Sequence, residues 1–334
     1  MTRAPKLARA GAGAAIFAPA LAFGLAAAAQ APDLALPIDC TPGEDCFIQQ
    51  YRDHDAGPGA QDYRCGPMSY DGHKGTDFAL PTRRAMQAGV AVLAAAPGEV
   101  RAARDEMPDI PRGAPDAPEL AGRDCGNGLV IDHGGGWETQ YCHLQRGSLR
   151  VAPGERVARG ARLGLVGLSG RTDFAHLHMS LRHNGDEVDP FAPSGPACTA
   201  PPAETLWIDP PDYRPGGLVG IGIADHMPDF DAIRVGLPDS TRLPPRADAL
   251  VVWGHAYGGR PGDVVEITVT GPAGTIVSHR ATLDTRRARF FRAAGRALAD
   301  RPRWPAGRYH ATVTLERADA ALDHETLAFT VPES

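Results

Sequence analysis

FAHLHMSLRH (residues 174–183) places two histidines, His176 and His178, two positions apart among apolar neighbours. In an extended strand, residues i and i+2 share a face. Both imidazoles then point one way, while Leu177 points the other way into a core. Two imidazoles on one face, flanked by apolar residues, are costly unless something uses them. The alternative is a strand face that merely exposes two histidines.

The sequence on the N-terminal side reads as further short β segments: Val90–Leu93, Val100–Ala103, Leu129–Asp132, Thr139–His143 and Arg162–Val166, leading to His176–Leu181. Gly-rich turns separate most of them. GGG (134–136) makes a hairpin turn between Leu129–Asp132 and Thr139–His143. That hairpin brings Cys125 near Cys142, and a disulfide closing a loop of roughly 15 residues stabilises by ~3 kcal/mol. Alternation along ETQYCHL sets Tyr141 on the face of His143 and turns Cys142 away. This favours a disulfide half over a ligand or nucleophile at Cys142. Asp105–Arg123 holds four prolines without periodicity and reads as a surface loop.

Further upstream, His73 and Asp77 lie four apart in DGHKGTDFALP (71–81), where Gly75 and the Gly/Pro-rich approach disfavour a helix. Imidazole nitrogen and carboxylate oxygen are both good zinc donors. Taken alone, the pair is unspecific and reads more readily as a turn aspartate capped by local amides.

The C-terminal part has a different pattern. Val265, Ile267 and Val269 alternate with polar residues, and GPAG (271–274) follows as a turn. Tyr309, Ala311, Val313 and Leu315 alternate in the same way, as do Leu327, Phe329 and Val331. These are half-buried antiparallel strands, and they predict a small immunoglobulin-like β-sandwich. APSGPACTAPPA (192–203) has linker composition. The expected organisation is a signal peptide at 1–29, a cysteine-rich extension at 30–66, a motif-bearing domain at 67–195, a linker at 196–206 and the sandwich at 207–334. The 39 glycines, 31 prolines and 6% aromatic content fit short strands joined by tight turns. A hydrophobic fraction of 43% supports real cores.

Arg3, Lys6 and Arg9 precede an Ala/Leu/Phe-rich run, and small residues allow cleavage after Ala29 to leave Gln30 first. The run is weakly apolar for a membrane span, and no Cys sits at the cleavage point for lipidation. No stable span is expected in the mature protein. Formal charge is −6, and loss of those three basic residues leaves −9. A mildly acidic surface argues against nucleic acid as a partner. Six cysteines behind an export signal read as disulfides in an oxidising compartment, periplasmic or extracellular.

Other signals do not resolve into sites. HETLA (324–328) lacks the second His of a zincin helix. GLSGR (167–171) is not a nucleophile elbow. Asp225, His226, Asp229 and Asp231 read as a solvated loop.

In this order, HKGTD, YCH and HLH resemble the signatures of the lysostaphin/LytM-type zinc metalloendopeptidases, which cut peptide bridges in peptidoglycan. The likeness covers about residues 64–193 and includes CGNGLVIDHGGGWETQYCHL, VAPGERVARGARLGLVG and GLSGRTDFAHLHMSL. It implies a mainly β, antiparallel, barrel-sandwich-like domain with an open groove. It implies Zn2+ held by His73, Asp77 and His178, with catalytic roles for His143 and His176, which do not bind the metal. Three protein ligands leave a position for water, whose pKa zinc lowers toward ~7, and the two free histidines then move protons and stabilise the oxyanion. Met179 and Ser180 stand where the family often has an aromatic and an acid, FA (174–175) replaces the common Gly-Pro, and Cys142 occupies a small position. These departures bear on pocket shape and substrate preference. The implied substrate is the peptidoglycan stem peptide. Alternative readings are an endopeptidase for secreted proteins, and a non-catalytic regulator or binding protein of wall hydrolases.

Overall fold

The computed structural model describes residues 30–238, 240–299 and 302–333, together with positions 1, 2 and 4. The expected signal peptide therefore falls almost entirely outside the described residues. No helix among the described residues is long and apolar enough to cross a membrane.

The N-terminal part is antiparallel β-structure with one short helix. In chain order it comprises β1 (Phe47–Gln50), β2 (Thr76–Ala79), α1 (Arg83–Ala88), β3 (Ala91–Leu93), β4 (Gly98–Arg104), β5 (Asn127–Gly134), β6 (Trp137–Leu144), β7 (Arg156–Val157), β8 (Arg162–Leu165), β9 (His176–His183) and β10 (Asp186–Val188). Eight strands form one sheet, in the order β1-β2-β9-β6-β5-β4-β7 with β10 on β9, while β3 and β8 pair separately. The HLH strand is thus central, flanked by the HKGTD strand on one side and the YCH strand on the other. Register sets Asp77 opposite His178, and Cys142 opposite His178 on the other edge. Leu177 is fully buried in the core with Phe78, Tyr141 and Leu144, as period-2 alternation requires.

All six cysteines are paired, as Cys40–Cys46, Cys65–Cys198 and Cys125–Cys142. The Cys125–Cys142 bridge is the one the hairpin demands. The stretch 105–126 holds no strand or helix. Its Met107 is buried and exchanges hydrogen bonds with the Asn127 side chain at 2.7–2.8 Å.

The cysteine-rich stretch contributes more than its composition suggests. Phe47, Ile48 and Tyr51 lie in the core of the large sheet, and Phe47–Gln50 is its edge strand. Four residues without alternation gave no strand signal.

The C-terminal part comprises β11 (Gly217–Ala224), α2 (Phe230–Val235), β12 (Ala249–Gly259), β13 (Val264–Gly271), β14 (Gly274–Thr282), β15 (Arg287–Ala297), β16 (Gly307–Arg317) and β17 (Ala320–Val331). A sheet of order β11-β12-β15 and one of order β14-β13-β16-β17 enclose a second core. Val265, Ile267, Val269, Tyr309, Ala311, Val313, Leu315 and Phe329 fill it, so the alternation read from the sequence identifies the buried faces.

Candidate metal centre

Three polar side chains meet where β2 and β9 pair. His73 Nε2 lies 3.1 Å from Asp77 Oδ1 and 3.1 Å from His178 Nδ1, and His178 Nδ1 lies 2.8 Å from Asp77 Oδ1. His73 and Asp77 are buried, and His178 is partly exposed. His73 Nδ1 donates to the Tyr51 carbonyl at 2.7 Å, which leaves Nε2 as its lone-pair side. Two imidazole lone pairs and a carboxylate oxygen therefore converge in a buried space, an arrangement that calls for a cation. Donors around a tetrahedral zinc with ~2.0–2.1 Å bonds stand ~3.3 Å apart. The separations here are close to that, and the N, N, O donor set suits the metal.

The electrostatics agree. Burial disfavours charge on His73, but Asp77 faces it and, with the bond to Tyr51, raises its pKa: a proton is the alternative to a metal ion there. Burial works against the Asp77 carboxylate, yet His73, His176 and His178 hold its pKa well below the usual range. Burial lowers His178, against the pull of Asp77.

The local chain is shaped for this packing. The Asp53 carboxylate accepts from the amides of Asp55, Gln61 and Gly72 at 2.9–3.0 Å, fixing the turn before His73. Burial alone would raise Asp53, but those amide bonds lower it. Gly75 has a packing reason: a Cβ there would meet the Met179 carbonyl oxygen at 2.4 Å and the His178 ring at 2.8 Å.

His143 and His176 stand beside the three, with ring centroids 4.6 Å apart. Each is tied by its Nδ1. His143 donates to the Ser169 carbonyl at 2.8 Å, and His176 to the Phe174 carbonyl at 3.0 Å. Each thereby directs Nε2 elsewhere, and His176 Nε2 lies 3.5 Å from Asp77 Oδ1. Burial, then the neighbouring His176 and His178, push His143 well below the ordinary histidine range.

Alternation predicts His143 on the face of Tyr141 and opposite Cys142, but the structure places it with Cys142. His143 adopts φ 65°, a left-handed conformation uncommon for a non-glycine residue. The turn swings its ring onto the face of Cys142, and both line the groove while Tyr141 stays in the core. Tertiary bonds impose this: His143 N–H donates to the Cys125 carbonyl at 2.8 Å, and the bridge to Cys142 anchors Cys125. The Cys125–Gly126 turn packs backbone to backbone on Ser169–Gly170, where a Cβ on Gly170 would meet the Asp124 carbonyl oxygen at 2.4 Å.

The five side chains line a cavity of about 880 Å³. Sequence reasoning missed several other lining residues. Tyr70 stacks on the His73 ring at 4.4 Å and is half exposed. Phe174 stacks on His176 at 4.2 Å. Phe230, Arg234 and Arg289 reach the cavity from the C-terminal part. Tyr70 lies next to the HKGTD motif and Phe174 next to HLH, which is the signal that could have drawn attention to them.

An antiparallel sheet presenting two histidines and an aspartate as one donor set, with two further histidines alongside, defines a metallopeptidase-type centre. Residues 71–190 match the model for peptidase family M23. The chain is similar to the peptidoglycan DD-endopeptidase ShyA of Vibrio cholerae, 32% identical over 134 residues, which is 40% of this chain and 26% of that protein. It is also similar to the cell division protein DipM of Caulobacter vibrioides, 30% identical over 113 residues, 34% of this chain and 16% of that one. The catalytic domain of lysostaphin from Staphylococcus simulans aligns at 20% identity over 42% of this chain and 85% of that chain, with a TM-score of 0.26. The chain spans about a quarter or less of the length of these two curated relatives. The domain belongs to peptidase family M23, the lysostaphin/LytM type.

Proposed function

We propose that this protein is an exported zinc metalloendopeptidase that hydrolyses peptide crosslinks of bacterial peptidoglycan. The observation that carries the reading is the convergence of His73, Asp77 and His178, with His143 and His176 held beside them by the same Nδ1-to-carbonyl device. Matched relatives named peptidoglycan DD-endopeptidases support the substrate class, and three disulfides support a location outside the cytoplasm. We also read the two C-terminal sheets as an immunoglobulin-like sandwich.

In this reading His73, Asp77 and His178 hold the metal. Zinc bound there supplies a Lewis acid for the scissile carbonyl and lowers the pKa of water. The chain's own residues do the rest. His143 is kept neutral by burial and its Nδ1–H is committed to Ser169, so its Nε2 is free to accept a proton. His176 is oriented by Phe174 and Thr172, with its Nδ1 3.2 Å from the threonine hydroxyl. The two imidazoles thus supply a proton acceptor and a hydrogen-bond donor for the developing oxyanion. Tyr70 and Phe174 cover two of the five side chains and exclude water from their outer faces.

Digestion of purified sacculi, with products identified by mass spectrometry, tests the proposal. Cleavage of crosslinks that stops with chelator and with His178→Ala is the expected result. Cleavage surviving both treatments would remove the metal mechanism. Digestion of casein without muropeptides would move the substrate to secreted proteins. Stoichiometric zinc without turnover on either would mark a non-catalytic binding protein.

A further inference from the structure

Six lysine and arginine side chains line the groove, and five of them face an acid. Lys74 lies 3.2 Å from Glu187, Arg112 2.9 Å from Asp173, Arg171 3.5 Å from Asp124, Arg182 4.0 Å from Glu138 and Arg234 3.3 Å from Asp231. The sixth, Arg289 on β15, has no acid within 4.0 Å among the described residues. Its guanidinium makes one hydrogen bond, to the Pro81 carbonyl at 3.1 Å, and its Nε is buried without a partner. It rests over two aromatic rings, 5.6 Å from that of Phe47 and 5.2 Å from that of Phe174. Burial, then the nearby charge of Arg234, pull its pKa down to about 9. A guanidinium held in place by aromatic faces, with unfilled donors and no counter-ion, matches a carboxylate in geometry and charge.

The position has a use. Phe174 lies between Arg289 and His176, stacked on the imidazole at 4.2 Å. The guanidinium is therefore within ~9 Å of His176, two to three residues of extended chain. We propose that Arg289, contributed by the C-terminal sheets, is a specificity-determining residue that binds a free carboxylate on the substrate peptide, two to three residues from the bond presented to His143 and His176. This rests on the peptidase reading of the groove and names the substrate as an acidic peptide.

The test is equilibrium binding, so that it does not depend on turnover. The full chain is titrated, in the presence of chelator, with an N-acetylated tripeptide bearing a free C-terminal carboxylate and with its C-terminal amide. Wild type should bind the carboxylate at least tenfold more tightly. Arg289→Gln should weaken carboxylate binding to the amide level and leave amide binding unchanged. Equal binding of the two peptides by wild type, or detectable binding of neither, overturns the proposal without any variant. So does a carboxylate preference that survives in folded Arg289→Gln, since Arg289 would then only clamp β15 to Pro81. Muropeptide digestion by the zinc-loaded wild type reports on the peptidase reading separately: a carboxylate preference without digestion supports the subsite and counts against that reading alone.

Discussion

In the proposed mechanism, replacing Cys125 and Cys142 together by alanine should separate the machinery that moves protons from the machinery that holds metal. The bridge closes a loop of 17 residues. Loop-closure entropy for that length gives ~3 kcal/mol of stability, or on the order of 4–5 °C in Tm for a chain of this size. The bridge also acts locally. His143 sits at φ 65° because its N–H reaches the Cys125 carbonyl at 2.8 Å, and a non-glycine residue in that region carries ~1–3 kcal/mol of strain. With Cys125 released, the β region becomes the relaxed conformation, and it returns the His143 ring to the Tyr141 side of the strand. Asp77 and His178 lie on β2 and β9 and His73 in the turn before β2, and all three should stay where they are. The double variant should retain stoichiometric zinc by elemental analysis and melt at lower temperature. Its kcat on muropeptides should fall about 10²-fold, the scale of a lost proton-transfer group. A variant that loses stability yet keeps full kcat would refute the dependence of His143 on the bridge. One that loses its zinc would refute the division of roles.

Gly75→Ala forces a Cβ to 2.4 Å from a backbone oxygen and 2.8 Å from the His178 ring; zinc affinity should drop ~10–100-fold, while Gly220→Ala, with open space at the site, should bind zinc as wild type does. His176→Ala should keep zinc and lose about 10²–10⁴ in kcat; loss of the metal instead would make His176 a ligand. His255 is buried, and burial, then Arg289 and Arg234, push its pKa down to about 2. The unfolded chain takes up its proton below pH ~6.5 and the folded chain does not. This contribution to stability is therefore complete above pH ~6.5 and falls about tenfold in equilibrium constant per pH unit as pH drops toward 2. Denaturant unfolding at pH 7.5, 6 and 5 should show His255→Gln losing less stability on acidification than wild type, and parallel profiles would count against the assignment.

Much of this was legible because local periodicity and tertiary demand agree. HLH reads as a strand with chemistry on one face, and the fold sets it centrally with Leu177 in the core. The alternating runs around Ile267 and Val313 name their own buried sides. What could not be read is what distant contacts impose. The face of His143 is decided by Cys125 and Ser169, not by its place in ETQYCHL. Phe47–Gln50 becomes a strand only because β2 offers an edge to pair with. Arg289 lies more than a hundred residues from HLH in sequence, and no spacing rule connects it to His176.

The same long-range contacts bear on what the C-terminal sheets do. Tyr257 belongs to the core of the large sheet and lies 4.4 Å from Phe47, ring to ring, while Arg286 donates to the carbonyls of Pro67 and Ser69 just before the HKGTD turn. Trp207 and Tyr213 pack against the same core, so the Pro/Ala-rich stretch does not leave the two sheet systems mechanically separate. The consequence is a column of side chains, His143 on His176, His176 on Phe174, and Phe174 under Arg289, that begins at the two histidines beside the metal centre and ends on β15. A small shift of β15 would change the width of the groove without touching His73, Asp77 or His178. On the proposed reading, metal affinity and substrate preference are carried by different parts of the chain, and substitutions on β15 should alter the second without the first.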